Sequence, residues 1–142
     1  MEKESITEED VAVICSEQTE NKIFDMINAM AEKKQKKAME LYYDLLALKE
    51  PPMRILYLIT RQFNLLMQVK ELSEEGYSAK TISERLKMAG FIVRNCLRQA
   101  EYFSLKTLKE ALQDCVRMEE AVKTGRMNDV MSVELLLVKY SS

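Results

Sequence analysis

The chain contains no histidine, which removes the commonest general base and one of the commonest metal ligands. Its three glycines, Gly76, Gly90 and Gly125, stand alone, and none opens the G-x-x-x-x-G-K-[ST] loop that cradles nucleotide phosphates. Prolines number two, adjacent at Pro51 and Pro52, so glycine and proline together are too scarce for a sheet protein rich in tight turns. Cysteines are odd in number and far apart, at Cys15, Cys96 and Cys115, each within an apolar helical stripe. Buried thiols acting as small hydrophobes explain them better than disulfides or a metal. No apolar run reaches the ~18 residues of a membrane span, and no signal peptide is visible, so a soluble, cytoplasmic protein is expected. Acid pairs such as Glu8/Glu9, Glu74/Glu75 and Glu119/Glu120 fall on helix surfaces without a partner pattern. No enzyme, cofactor or small-molecule substrate is expected.

What is present favours helix. Ten methionines accompany abundant Leu, Glu, Lys and Ala, and 142 residues suffice for one independent core. The fold class is all-α, a compact bundle of about six to seven helices after a short connector helix. Pro51 and Pro52 suit the first turn of a long central helix, expected to run from Pro52 to Glu75 and stop at Gly76. Ile55, Leu56, Leu58 and Ile59 cover most of its circumference before Phe63, Leu66, Val69 and Leu72 narrow to a stripe, so neighbours must surround it.

Around this helix the stops are readable. Thr7 and the acids after it start a short first helix that ends near Ser16–Gln18, and Asn21 caps a second with Ile23, Phe24, Ile27, Met30 and Ala31 inward. Lys33, Lys34, Lys36 and Lys37 turn the chain into a third helix with Ala38, Leu41, Tyr42, Leu45 and Leu46 on one face. The lysines read as a solvated corner, with anion binding the alternative. Ser78 caps Ala79–Lys87, Gly90 breaks the chain before Phe91–Tyr102, and Ser104 caps a helix that Gly125 ends. Asn128 or Asp129 starts the last helix. Its Val130, Met131, Val133, Leu135, Leu136, Leu137 and Val138 exceed what one core-facing stripe requires, so it is a candidate docking surface. Val130, Val133, Leu137 and Tyr140 are the expected contact residues, the alternative being that they complete the domain's own core.

Net charge is only −2, but it is unevenly spread. Residues 1–20 hold seven acids against Lys3, whereas residues 76–109 hold seven bases against Glu84 and Glu101. Within that basic stretch, Ser78–Leu86 and Phe91–Leu97, joined through Met88-Ala89-Gly90, have helix-turn-helix spacing. The second helix would present Arg94, Asn95, Arg98 and Gln99 outward, types suited to phosphates and base edges. Any two short packed helices give the same pattern. Arg94 and Arg98 are the candidates for contact with a DNA backbone.

Taken in order, several segments resemble one family. They are Ile6-Thr7-Glu8-Glu9-Asp10-Val11, Asn21-Lys22-Ile23-Phe24-Asp25-Met26-Ile27, Lys37-Ala38-Met39-Glu40-Leu41 and Glu50-Pro51-Pro52-Met53-Arg54-Ile55-Leu56. Arg61-Gln62-Phe63, Gln68-Val69-Lys70-Glu71-Leu72, Val93-Arg94-Asn95-Cys96-Leu97-Arg98-Gln99-Ala100 and Lys123-Thr124-Gly125-Arg126 follow. The series resembles the C-terminal part of the delta subunits of bacterial DNA polymerase III clamp loaders. It departs at Met88-Ala89-Gly90-Phe91, where that family commonly has a His-Pro pair. The resemblance implies a fragment: residues 1–20 the end of a lid domain and its connector, residues 21–142 a helical collar domain. It also implies a non-catalytic role, holding a pentameric loader together through other loader subunits during sliding-clamp loading in DNA replication. A helix-turn-helix DNA-binding protein and a helical adaptor of another complex are the alternative readings.

Overall fold

In a computed structural model the backbone of residues 4–142 and the side chains of residues 18–142 are described. Seven α-helices and no strands occur among these residues: α1 (Glu4–Ala31), α2 (Gln35–Ala47), α3 (Pro52–Glu74), α4 (Ala79–Leu86), α5 (Gly90–Ala100), α6 (Leu105–Lys123) and α7 (Asp129–Ser141). None is long and apolar enough to cross a membrane.

The central helix is α3, and it packs against α1, α4, α5, α6 and α7. Pro52 opens it, and Ile55, Leu56, Leu58, Ile59, Phe63, Leu66 and Val69 are buried along it. Phe63 packs edge-on to Phe103 of the α5–α6 link at 5.8 Å and lies 6.2 Å from the Tyr140 ring of α7. Each such fully buried large apolar side chain contributes roughly 1.5–3 kcal/mol. Opposite α3, α1 and α2 form an antiparallel hairpin closed over Met26, Met30, Ala38, Tyr42 and Leu45.

Local chemistry fixes the helix ends. Ser78, Ser104 and Asn128 act as N-caps, accepting from the backbone N–H groups of Thr81, Thr107 and Met131. At the other ends α1, α2, α3 and α6 close with the same paired turn bonds, for example Glu50 N–H to Leu45 O and Lys49 N–H to Leu46 O. The left-handed residue in that turn is Gly76 after α3 and Gly125 after α6, but Lys33 after α1 and Lys49 after α2. Lys87 takes the same conformation after α4.

Three sequence expectations change. The break near residues 16–21 is absent, because α1 runs unbroken from Glu4 to Ala31. Nothing between Ser16 and Lys22 prevents helix, and Thr19 is buried with its hydroxyl donating to Glu50 at 2.6 Å, which ties α1 to the α2–α3 turn. Gly90 does not break the chain; it is the first residue of α5, with Ala89 in the cap position. Thr7 does not start the first helix, because α1 begins at Glu4; the burial of Cys15 lies outside the described side chains, whereas Cys96 and Cys115 are free, buried thiols.

Candidate functional site

Among the described residues no three His, Cys, Asp or Glu side chains gather as a metal site. The candidate surfaces are therefore helix faces, and α7 carries the main one. Its inner face enters the core: Val133, Leu136 and Leu137 are fully buried and Tyr140 nearly so. Of the four expected contact residues, Val133, Leu137 and Tyr140 thus complete the domain's own core, and Val130 is half-buried against it.

Polar hooks decide which face of α7 turns inward. Tyr42, fully buried on α2, donates to the carbonyl of Val130 at 2.9 Å, and its neighbour Tyr43 donates to Glu134 at 2.7 Å. Burial pushes the Tyr42 phenol above its usual range, and the nearby Glu134 and Asp129 carboxylates add to the effect. From α6, Asp114 accepts from the Tyr140 hydroxyl at 2.6 Å, from Lys139 at 2.7 Å and from Arg117 at 3.2 Å. Burial acts to raise the Asp114 pKa, but the bonds from Lys139 and Tyr140 and the charges of Lys139 and Arg117 outweigh it. The carboxyl is therefore held below its ordinary value.

With those hooks in place, Met131, Leu135 and Val138 point outward at 51%, 44% and 37% exposure. Their i, i+4, i+7 spacing makes one stripe along α7. The Tyr43–Glu134 bond borders it on the α2 side, and the Lys139–Glu110 ion pair, at 3.4 Å, borders it on the α6 side. The signal for this stripe was in the sequence, since α7 has apolar positions for two faces. The residues that choose between the faces, Tyr42 and Asp114, lie on other helices and carry no local sign of that role.

The basic segment is also resolved. Arg94 and Arg98 lie exposed on the outer face of α5, Arg98 donating to Asn95. Gln99 does not join them. It is buried at 2% exposure, donates to Phe24 O at 3.0 Å and Asn28 Oδ1 at 2.8 Å, and accepts from Gln62 at 2.9 Å. The residue that a helix-turn-helix would turn toward base edges is here a buried link between α1, α3 and α5.

Comparison with known proteins agrees with this architecture. Residues 20–140 match the family described as DNA polymerase III delta subunit, C-terminal domain. The DNA polymerase III subunit delta of Bacillus subtilis (strain 168) is 33% identical over 138 residues, covering 97% of this chain and 40% of that protein. The solved Bacillus subtilis DNA clamp loader delta protein superposes with a TM-score of 0.83 at 33% identity, covering 87% of this chain and 36% of the other. The chain thus spans about two fifths of its curated relative. With a family match across most of its length and the same all-helical fold, this chain belongs to the family of C-terminal domains of DNA polymerase III delta subunits.

Proposed function

We propose that this chain is a non-catalytic collar domain of a clamp-loader delta subunit, holding neighbouring loader subunits together while a sliding clamp is loaded during DNA replication in the cytoplasm. Residues 21–142 are the collar, and residues 1–20 the connector from a lid domain. Its partners are the other clamp-loader subunits.

The observation that carries this reading is the outward stripe of α7. Three large apolar side chains in register on one helix, bordered by polar pairs, suit burial against a neighbouring protein. Val133, Leu137 and Tyr140 anchor the helix from within, while Met131, Leu135 and Val138, with the half-buried Val130 beside them, meet the neighbour.

The test is co-purification of this chain with each of the other loader subunits, before and after Met131→Asp with Leu135→Asp. Both positions are exposed, so the double variant should melt with the wild type and lose capture by at least about tenfold, as for charges placed in an interface core. Undiminished capture by a folded double variant would exclude the stripe. No capture of any loader subunit by the wild type would exclude the collar role.

A further inference from the structure

A groove runs between α1 and α5, with Gln62 of α3 on its floor. Two hollows, of about 590 and 280 Å³, meet in it at Phe24 and Asn95, which line both. On the α1 wall stand Gln18, Asn21, Phe24 and Asn28. On the facing wall stand Phe91, Asn95 and Arg98 of α5, with Tyr102 just beyond the helix. Both rows step by three or four residues, so each wall is one helix face followed along its axis. From Phe91 to Tyr102 the groove extends about 17 Å, at 1.5 Å per residue.

Its two parts differ in chemistry. The larger hollow has apolar walls: Phe24 is half-buried, whereas Phe91 and Ile92 are 60% and 37% exposed. The inner face of α5 is already filled by Val93, Cys96 and Ala100, so Phe91 and Ile92 are surplus to the core. The smaller hollow is polar. Its carboxylate, Glu32, is held by Lys34 at 3.1 Å, just as Glu20 in the larger one is held by Arg61 at 2.9 Å. Arg98 is different. Among the described residues it bonds only the neutral Asn95 and has no carboxylate partner.

An apolar hollow with an unpaired guanidinium further along the same helix suits an apolar side chain and a carboxylate set equally far apart. Phe91 and Arg98 are seven residues apart, about two helical turns. A third helix laid along the groove presents its own positions i and i+7 at that separation, and its side chains step in register with both walls. One cation is too few for a phosphate backbone, which needs a charge at each successive phosphate. We infer that this groove docks an amphipathic helix of a partner protein. Its apolar side chains enter the hollow between Phe24, Phe91 and Ile92, and an Asp or Glu two turns away pairs with Arg98. None of the outward residues of α7 lines the groove, so the two surfaces can be tested separately.

The test is fluorescence anisotropy of the 142-residue chain with a labelled, hydrocarbon-stapled helical peptide carrying leucines at i and i+3 and a glutamate at i+7. Its sequence reversal is tested beside it, because a helix can lie in the groove in either direction. One of the two should bind in the micromolar range. Replacing its glutamate by lysine should weaken it by about tenfold or more, as should Arg98→Glu in the protein. The two exchanges combined should restore binding to within about threefold. Phe91→Asp should weaken the original peptide by at least about tenfold. That variant places an acid in the first turn of α5, where the helix dipole favours it, so it should melt no lower than the wild type. Met131→Asp with Leu135→Asp should leave peptide binding unchanged. The inference is overturned if both peptides fail to bind, if the charge exchange restores nothing, or if folded Phe91→Asp binds like the wild type. A dimer of the chain, seen by light scattering and dissolved by Phe91→Asp, overturns it in favour of a second copy as the occupant.

Discussion

Asp114 offers a sharp test of how α7 is held. Its carboxylate is buried and accepts from Tyr140, Lys139 and Arg117. In Asp114→Ala the Tyr140 hydroxyl, on a side chain only 6% exposed, loses its acceptor. An unpaired buried hydroxyl costs about 1–3 kcal/mol, and the space left by the carboxylate brings the expected loss to about 2–4 kcal/mol. Lys139 and Arg117 are exposed enough for water to replace the lost carboxylate. Asp114→Asn keeps an oxygen for Tyr140 but loses the charge, for about 1–2 kcal/mol. Because Tyr140→Phe removes the orphaned donor, the double variant Asp114→Ala/Tyr140→Phe should cost at least about 1 kcal/mol less than the two single losses combined. Urea denaturation followed by circular dichroism measures the wild type and all four variants. The pH dependence gives a second handle. The folded carboxyl titrates below its unfolded value near 3.9, so its contribution is complete above that value and is lost as pH falls through the folded one. The gap between wild type and Asp114→Asn should be level from about pH 6 to 8 and shrink below about pH 4. Additive single losses, together with a gap that stays level to the lowest pH at which the protein folds, would refute this account.

Three further outcomes follow from the interior and the helix ends. Gln99→Leu should destabilise by about 2–3 kcal/mol, because Gln62 Nε2, Asn28 Oδ1 and Phe24 O all lose a partner; a loss under about 0.5 kcal/mol in the same urea assay would contradict the buried link. Lys49→Gly should stabilise by up to about 1 kcal/mol, since φ of 69° strains any L side chain and glycine is free of that strain; a lower melting temperature would count against it. In a Cys15→Ser background, Cys96 and Cys115 should resist a thiol reagent near pH 8 until the protein unfolds. Burial raises both thiols, Cys115 to about 11, and labelling of the folded protein at the rate of free cysteine would show otherwise.

The sequence carried most of the helices because their boundaries are local events. A serine or asparagine before an apolar period and a glycine after it are chemistry within one turn, and Ser78, Ser104, Asn128, Gly76 and Gly125 perform it as read. Where the end was made differently, the pattern was quieter. Lys33, Lys49 and Lys87 occupy the left-handed position that glycine usually fills, so their helices end without the residue that announces an ending. The apparent break near Asn21 was the converse case: polar residues suited to a cap sit mid-helix, and tertiary contacts such as Thr19 to Glu50 keep the chain helical there.

Which face of a helix meets solvent is a different kind of information. Helix α7 is apolar on two sides, so periodicity admits both orientations and the composition of the helix alone cannot separate them. The choice is made from outside, by Tyr42 pulling on the Val130 carbonyl and by Asp114 gathering Tyr140 and Lys139. Gln99 was misplaced for the same reason. An amide on a short helix suits a base edge or a buried hydrogen bond equally well, and only Asn28, Phe24 and Gln62, brought together by two other helices, decide between them. The lysine turn shows the effect at the surface. Taken alone, Lys33–Lys37 is a solvated corner; in the fold Lys33 reaches the carbonyl of Tyr140 at the end of α7, a partner 107 residues away in the chain. A surface assembled from remote segments has no period in the sequence, so docking and binding faces are the part of this domain that only its tertiary packing reveals.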